Sequence, residues 1–180
     1  MLRTFNDILD AAAQCGSMKL VVADPVPSDI PPVAAAAQAG LVDPCFVGNA
    51  AAIRTLLAET APGAEWCRIA DEREPERILR RAMELLARGD GDILMSGGLG
   101  HRAVLDAVND RTWELVPAGG LVSFVSLFPF VMQNRLILVT DTYLNDQPSL
   151  VEKRDILANA IRLARLLGVE TPGAAVLAAI

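Results

Sequence analysis

Aromatic residues are scarce in this chain, at 4% of 180 residues, and histidine occurs once, as His101. The three cysteines, Cys15, Cys45 and Cys67, lie far apart and form no CxxC pair. One histidine without paired thiols argues against a structural zinc site, and no metal is expected. Scattered thiols without partners point to a reducing compartment, the cytoplasm. Cys45 and Cys67 sit inside apolar runs, where cysteine acts as a small hydrophobe. Positive charge is short as well: the net charge is −6, and no stripe of Lys or Arg runs along the chain. Nucleic-acid binding is not expected, although a local pocket for an anionic small molecule stays open. Long apolar runs are missing too. Leu121–Met132 and Leu136–Thr140 are separated by Gln133-Asn134-Arg135, and neither reaches the roughly 18 to 20 residues of a membrane-spanning helix. The opening MLRTFNDILDAA carries acidic residues and no apolar signal core, so neither secretion nor membrane attachment is expected.

What is present is a globular composition, 52% hydrophobic with a mean hydropathy of +0.35, drawn largely from Ala, Leu and Val. The length suits one ordinary domain with a full core. The most informative stretch is Asp92–Asn109, DILMSGGLGHRAVLDAVN. Ile93-Leu94-Met95 reads as a buried strand, Ser96-Gly97-Gly98-Leu99-Gly100 as a tight turn, and the spacing of Val104, Leu105 and Val108 as a helix. Glycines let backbone approach a ligand, and the first amides of the helix lack intrahelical partners, so such a turn can hold an anion. It can equally be only a turn, since the run is neither GxGxxG nor GxxxxGK[ST].

Taken in order, Thr4–Gln14 reads as a helix capped by Thr4, with Phe5, Ile8, Leu9 and Ala12 on one face. Lys19–Ala23 is a buried strand, VPSDIPP an extended loop or a helix start, and Val33–Ala39 a helix stopped by Gly40. Cys45–Val47 is a strand and Ala50–Thr60 a helix. Trp66–Ala70 is a strand, and Pro75 opens a helix to Arg88 with Ile78, Leu79, Ala82, Leu85 and Leu86 facing inward and its charges on a solvated face of i,i+4 pairs. Repeated alternation of short apolar strands with helices predicts a mostly parallel sheet covered on both faces, a three-layer α/β/α sandwich. After Asn109 the pattern changes. Asp110–Gly120 is a loop, and Val122–Val131 with Leu136–Asp141 form an antiparallel β-hairpin about a turn at Met132–Arg135. Thr142–Pro148 is polar, Ser149 caps a helix over Leu150–Leu167, and Ala174–Ile180 is a final apolar strand. An ending inside an apolar strand favours a truncated form of a longer protein.

FNDILDAA, KLVVA, PCFVGN and GDILMSG, with LILVTDTYLNDQPSLVEKRDILANAIRLARLLGVETPGAAVLAAI, resemble the N-terminal portion of the phosphate acetyl/butyryl transferases. The likeness covers essentially the whole chain, and is most specific in Asp141, Asn145, Pro148, Leu150, Lys153, Ile156 and Asn159 together with the GDILM strand. It implies an isopropylmalate dehydrogenase-like α/β fold. It also implies an acyltransferase moving an acetyl or butyryl group between coenzyme A and inorganic phosphate, to give an acyl phosphate. Acyl-CoA and phosphate would be substrates, with no permanently bound cofactor, and the protein would be a homodimer or higher homo-oligomer. The family commonly has Lys at the position of Ser96, and Arg where this chain reads Glu114-Leu115-Val116-Pro117. Those departures remove cationic donors that an anionic substrate wants.

The candidate site residues are Asp141 and Asn145 as catalytic groups at a strand end, where α/β folds place ligands. Ser96, Gly97, Gly98 and His101 are the substrate-binding candidates. The plain readings beside these are a turn acceptor for Asp141, a tight turn for the glycines and a surface residue for His101. Tyr143 and Trp113 have the shape to stack on an adenine, although lone aromatics usually pack. Arg135, in the hairpin turn, is expected to face solvent. A truncated or degenerate lobe, which binds CoA or phosphate or only self-associates, is the alternative to an enzyme. A dehydrogenase-like relative is disfavoured, because neither a dinucleotide fingerprint nor an acidic metal cluster is present.

Overall fold

The computed structural model describes residues 3–64 and 66–177. The chain divides into two units, Met1–Ala11 with Ala118–Ile180 and Ala12–Pro117. Helix α1 (Phe5–Cys15) spans the first division. Thr4 Oγ1 accepts the Asp7 amide and Asp7 Oδ2 accepts the Thr4 amide, a reciprocal cap. The expected apolar face of α1 is not covered: Phe5 and Leu9 are about half exposed.

The unit over 12–117 is a four-stranded parallel sheet ordered β3-β2-β1-β4, formed by β1 (Met18–Ala23), β2 (Val42–Gly48), β3 (Arg68–Asp71) and β4 (Ile93–Ser96). Strand β1 reads KLVVA through its core, and side chains alternate between its two faces. Leu20 and Val22, with Phe46 of β2, pack on Ile30, Val33 and Ala34 of α2 (Ile30–Gln38) and on Ile53 and Leu57 of α3 (Ala50–Thr60). Val21 and Ala23, with Cys45 and Val47, face Ile78, Ala82 and Leu85 of α4 (Pro75–Ala87). Helices therefore cover both faces, as the alternation predicted. Prolines shape two helix starts: Pro31 and Pro32 lie in the first turn of α2, so this helix begins three residues before the expected Val33, and Pro75 opens α4. Pro44 is tolerated in an inner strand because β3 pairs with β2 only from Cys45 onward.

Three expectations fail here for physical reasons. Trp66 and Cys67 precede β3 and do not form part of it, and Trp66 is exposed. Strand β4 is an edge strand, not a fully buried one, and Ile93 is 43% exposed. In α4 the buried face includes Met83, which the inward set of apolar positions missed. Helix α5 (His101–Asn109) follows the glycine turn as predicted, with Val104, Leu105 and Val108 half-buried.

The unit containing 118–180 holds the antiparallel pair β5 (Val125–Phe130) and β6 (Arg135–Thr140), with α6 (Leu150–Leu166). The first hairpin strand is shorter than expected, since Val122–Phe124 lie outside it. Arg135 opens β6, exposed as expected, with its guanidinium over the Phe130 ring at 5.7 Å. Ser149 and Glu152 close a capping box at the start of α6, and Ile156, Ala160 and Ala164 bury its inner face. No strand forms over 174–177; the rest of the expected final strand, 178–180, lies outside the described residues. Among the described residues no helix is long and apolar enough to cross a membrane.

Candidate functional site

The strand order places a topological switch between β1 and β4, whose C-terminal ends are where an open α/β sheet usually takes a ligand. Ser96, Gly97 and Gly98 stand there. Gly97 donates its amide to Ala23 O at 2.8 Å and Gly98 donates to Asp24 O at 2.7 Å. A Cβ on Gly97 would overlap the Asp24 carbonyl, and one on Gly98 would lie 2.7 Å from Asp24 Oδ2. The close approach that glycine permits here is to the chain's own backbone. Both glycine amides are already engaged, and the carboxylates of Asp24 and Asp29 lie against the turn. That environment disfavours a phosphate on the glycines themselves. Ser96 ends β4 and is half-buried, and His101 opens α5 at the surface. Two surface hollows in this unit, of about 310 and 270 Å³, are lined by Glu72, Arg77, Arg80, Arg81 and Glu84 and by Arg54, Leu57, Cys67 and Ile69. Neither lining contains an expected site residue.

Asp141 and Asn145 do come together. Asp141 follows β6 directly, and its carboxylate is the hub of a polar network. Oδ1 accepts the amides of Tyr143 (2.9 Å) and Leu144 (2.8 Å). Oδ2 accepts the Phe124 amide (2.9 Å) and Asn145 Nδ2 (2.7 Å). Partial burial raises the Asp141 pKa, but the four donors, led by the Tyr143 and Leu144 amides, outweigh it and leave the carboxyl below its ordinary value of 3.8. A carboxylate so held is an acceptor that orders backbone, and a poor proton acceptor.

The same network immobilises the irregular segment Leu121–Phe124. Asn145 Nδ2 also donates to Val122 O, the Thr140 hydroxyl donates to Phe124 O, and Asn159 Nδ2 of α6 donates to Leu121 O and Ser123 Oγ. Phe124, Ser123 and Thr140 escaped the sequence reading. The missing signal was hairpin register: Val125 pairs with Thr140, so the next step sets Phe124 opposite Asp141. A turn at 132–135 would instead set Ser126 there. Among the described residues no group of three His, Cys, Asp or Glu is placed to hold a metal ion.

A family model described as phosphate acetyl/butaryl transferase matches residues 69–180, a span that includes both groups of candidate residues. The chain belongs to this family. Phosphate butyryltransferase of Clostridium acetobutylicum is 28% identical to this family member over all of the chain and 60% of its own length. A probable phosphate butyryltransferase of Bacillus subtilis is 36% identical over 59% of the chain and 35% of its own length. The crystal structure of a phosphotransacetylase from Streptococcus pyogenes superposes with a TM-score of 0.72 at 15% identity, over 93% of the chain and 60% of that structure, and shares the fold. This phosphate acetyl/butyryl transferase family chain thus spans 60% or less of the length of these relatives.

Proposed function

We propose that the protein moves an acetyl or butyryl group between coenzyme A and inorganic phosphate. A phosphate oxygen attacks the thioester carbonyl carbon, the C–S bond breaks, and the sulfur leaves as CoA thiol after taking a proton, with acyl phosphate as the other product. Such chemistry requires donors for phosphate oxygens and stabilisation of a tetrahedral oxyanion. Alignment of the whole chain with a phosphate butyryltransferase carries this reading. Asp141 and Asn145 contribute by holding the backbone of Val122, Phe124, Tyr143 and Leu144 in one geometry. Ser96 and His101 supply substrate contacts at the β4–α5 turn, while Gly97 and Gly98 give that turn its shape. The substrates need no permanently bound cofactor, and the working form is a homodimer or higher homo-oligomer.

The test is release of CoA thiol from acetyl- or butyryl-CoA, with and without phosphate. Phosphate-dependent release is expected. Asp141→Ala should reduce it by about ten-fold or more, because positioning losses of this kind are magnified in the rate. Asp141→Asn should not restore it, since its amide nitrogen would point a donor at backbone donors. Thiol release that is absent, or indifferent to phosphate, in a folded sample would replace this reading with a non-catalytic lobe.

A further inference from the structure

Phe124 and Tyr143 are conspicuous in a chain with so few aromatic residues. They are 42% and 63% exposed, yet their rings meet, with centroids 5.7 Å apart and planes inclined by 57°. Singly exposed aromatics are common and carry no message. These two form a pair, and one carboxylate sets the backbone of both: the Phe124 amide donates to Asp141 Oδ2 and the Tyr143 amide to Oδ1. Thr140 holds Phe124 from its carbonyl side as well. Neither ring belongs to the two buried apolar clusters of the sheet. The molecule therefore fixes the backbone beneath an aromatic pair whose rings remain substantially exposed. Pinning of this kind lowers the ordering cost of binding.

We propose that the Phe124–Tyr143 pair is a stacking platform for a planar purine base, the adenine ring of the CoA thioester. The identity of the ligand rests on the acyltransferase reading; the preference for a flat base rests on the rings. Tilted rings present one open face and one edge, a geometry that suits a flat heteroaromatic with polar edges. A flexible acyl chain gains instead from an enclosed pocket, and rings this exposed enclose nothing. Tyr143, considered alone in sequence, had only the shape for this; the Phe124 contact and the shared Asp141 anchor make it a built feature.

The experiment titrates adenosine 3′,5′-bisphosphate and pantetheine, the two halves of CoA, into the whole protein by calorimetry. Wild type, Tyr143→Ala, Tyr143→Phe and Phe124→Ala are compared, and thermal melting checks each fold. Tyr143→Ala should weaken the nucleotide half by about ten-fold, the scale of base–aromatic stacking. Tyr143→Phe should stay within about two-fold, because it keeps the ring face. Pantetheine affinity should not move, and in turnover the loss should fall on KM for the CoA thioester. The platform is overturned if wild type does not bind the nucleotide half, if Tyr143→Ala binds it like wild type, or if Tyr143→Phe loses as much as Tyr143→Ala. Turnover with unchanged nucleotide affinity in Tyr143→Ala sinks the platform alone. Ring-dependent nucleotide binding without any turnover keeps the platform and sinks the transferase reading.

Discussion

At the scale of single residues, Asp141 is the group on which most depends. Its folded pKa lies below the ordinary 3.8, so the stabilisation it gives is complete above that value and is lost as pH falls through the lowered one. Acidification below pH 3.8 should therefore lower the protection of the Phe124, Tyr143 and Leu144 amides, measured against the intrinsic exchange rate at each pH. NMR-detected exchange checks this, and equal acid sensitivity in Asp141→Ala would refute it. The residue itself was legible from its place at the end of an apolar run. Its role was not, because hydrogen-bond donors from residues 124 and 143–145 converge only once hairpin register is known. The glycines show the converse: their need for close approach was visible, but what they approach, Asp24, lies far away in sequence.

Among the elements, those with both a cap and a periodic apolar face were readable. Helix α3 runs from Ala50 to Thr60 as predicted, because Asn49 accepts the amides of Ala51 and Ala52. Helix α6 carries the fuller device, Ser149 accepting the Glu152 amide while Glu152 Oε2 accepts the Ser149 amide. Ser149→Ala should cost about 1 kcal/mol and lower Tm by roughly 2–4 °C in a domain of this size. A circular dichroism melt identical to that of wild type would rule out any stabilising role for this cap. Short strands were harder. Trp66-Cys67 looks like strand by composition, but pairing with β2 starts only at Cys45 and Arg68, just past Pro44, which has no N–H to donate. The tip of the hairpin was misplaced by two residues of register because a 3₁₀ turn at Val131–Gln133 and a left-handed Asn134 make the connection. Nothing in local apolar pattern marks such a turn.

For the whole molecule, alternation of strand and helix was enough to predict parallel pairing and coverage of both sheet faces, since few other arrangements bury such strands. The division at 117–118 was visible only as a change of pattern after Asn109. Val131, Met132 and Leu150 are each more than four-fifths exposed; apolar surface of that kind favours self-association. Light scattering coupled to size exclusion should give at least twice the 19.2 kDa chain mass, and a mass of one chain at all concentrations would exclude the oligomer. Strand β1, at the centre of its sheet, has one more consequence. Its neighbour on one side follows promptly, but β4 arrives late: Lys19 and Asp92, which clasp the two strands, are 73 residues apart. During synthesis at about 5–20 residues per second, the newborn β1 therefore waits roughly 4–15 s with one edge open, a window in which the ribosome-bound chain is exposed to misassembly until β4 emerges.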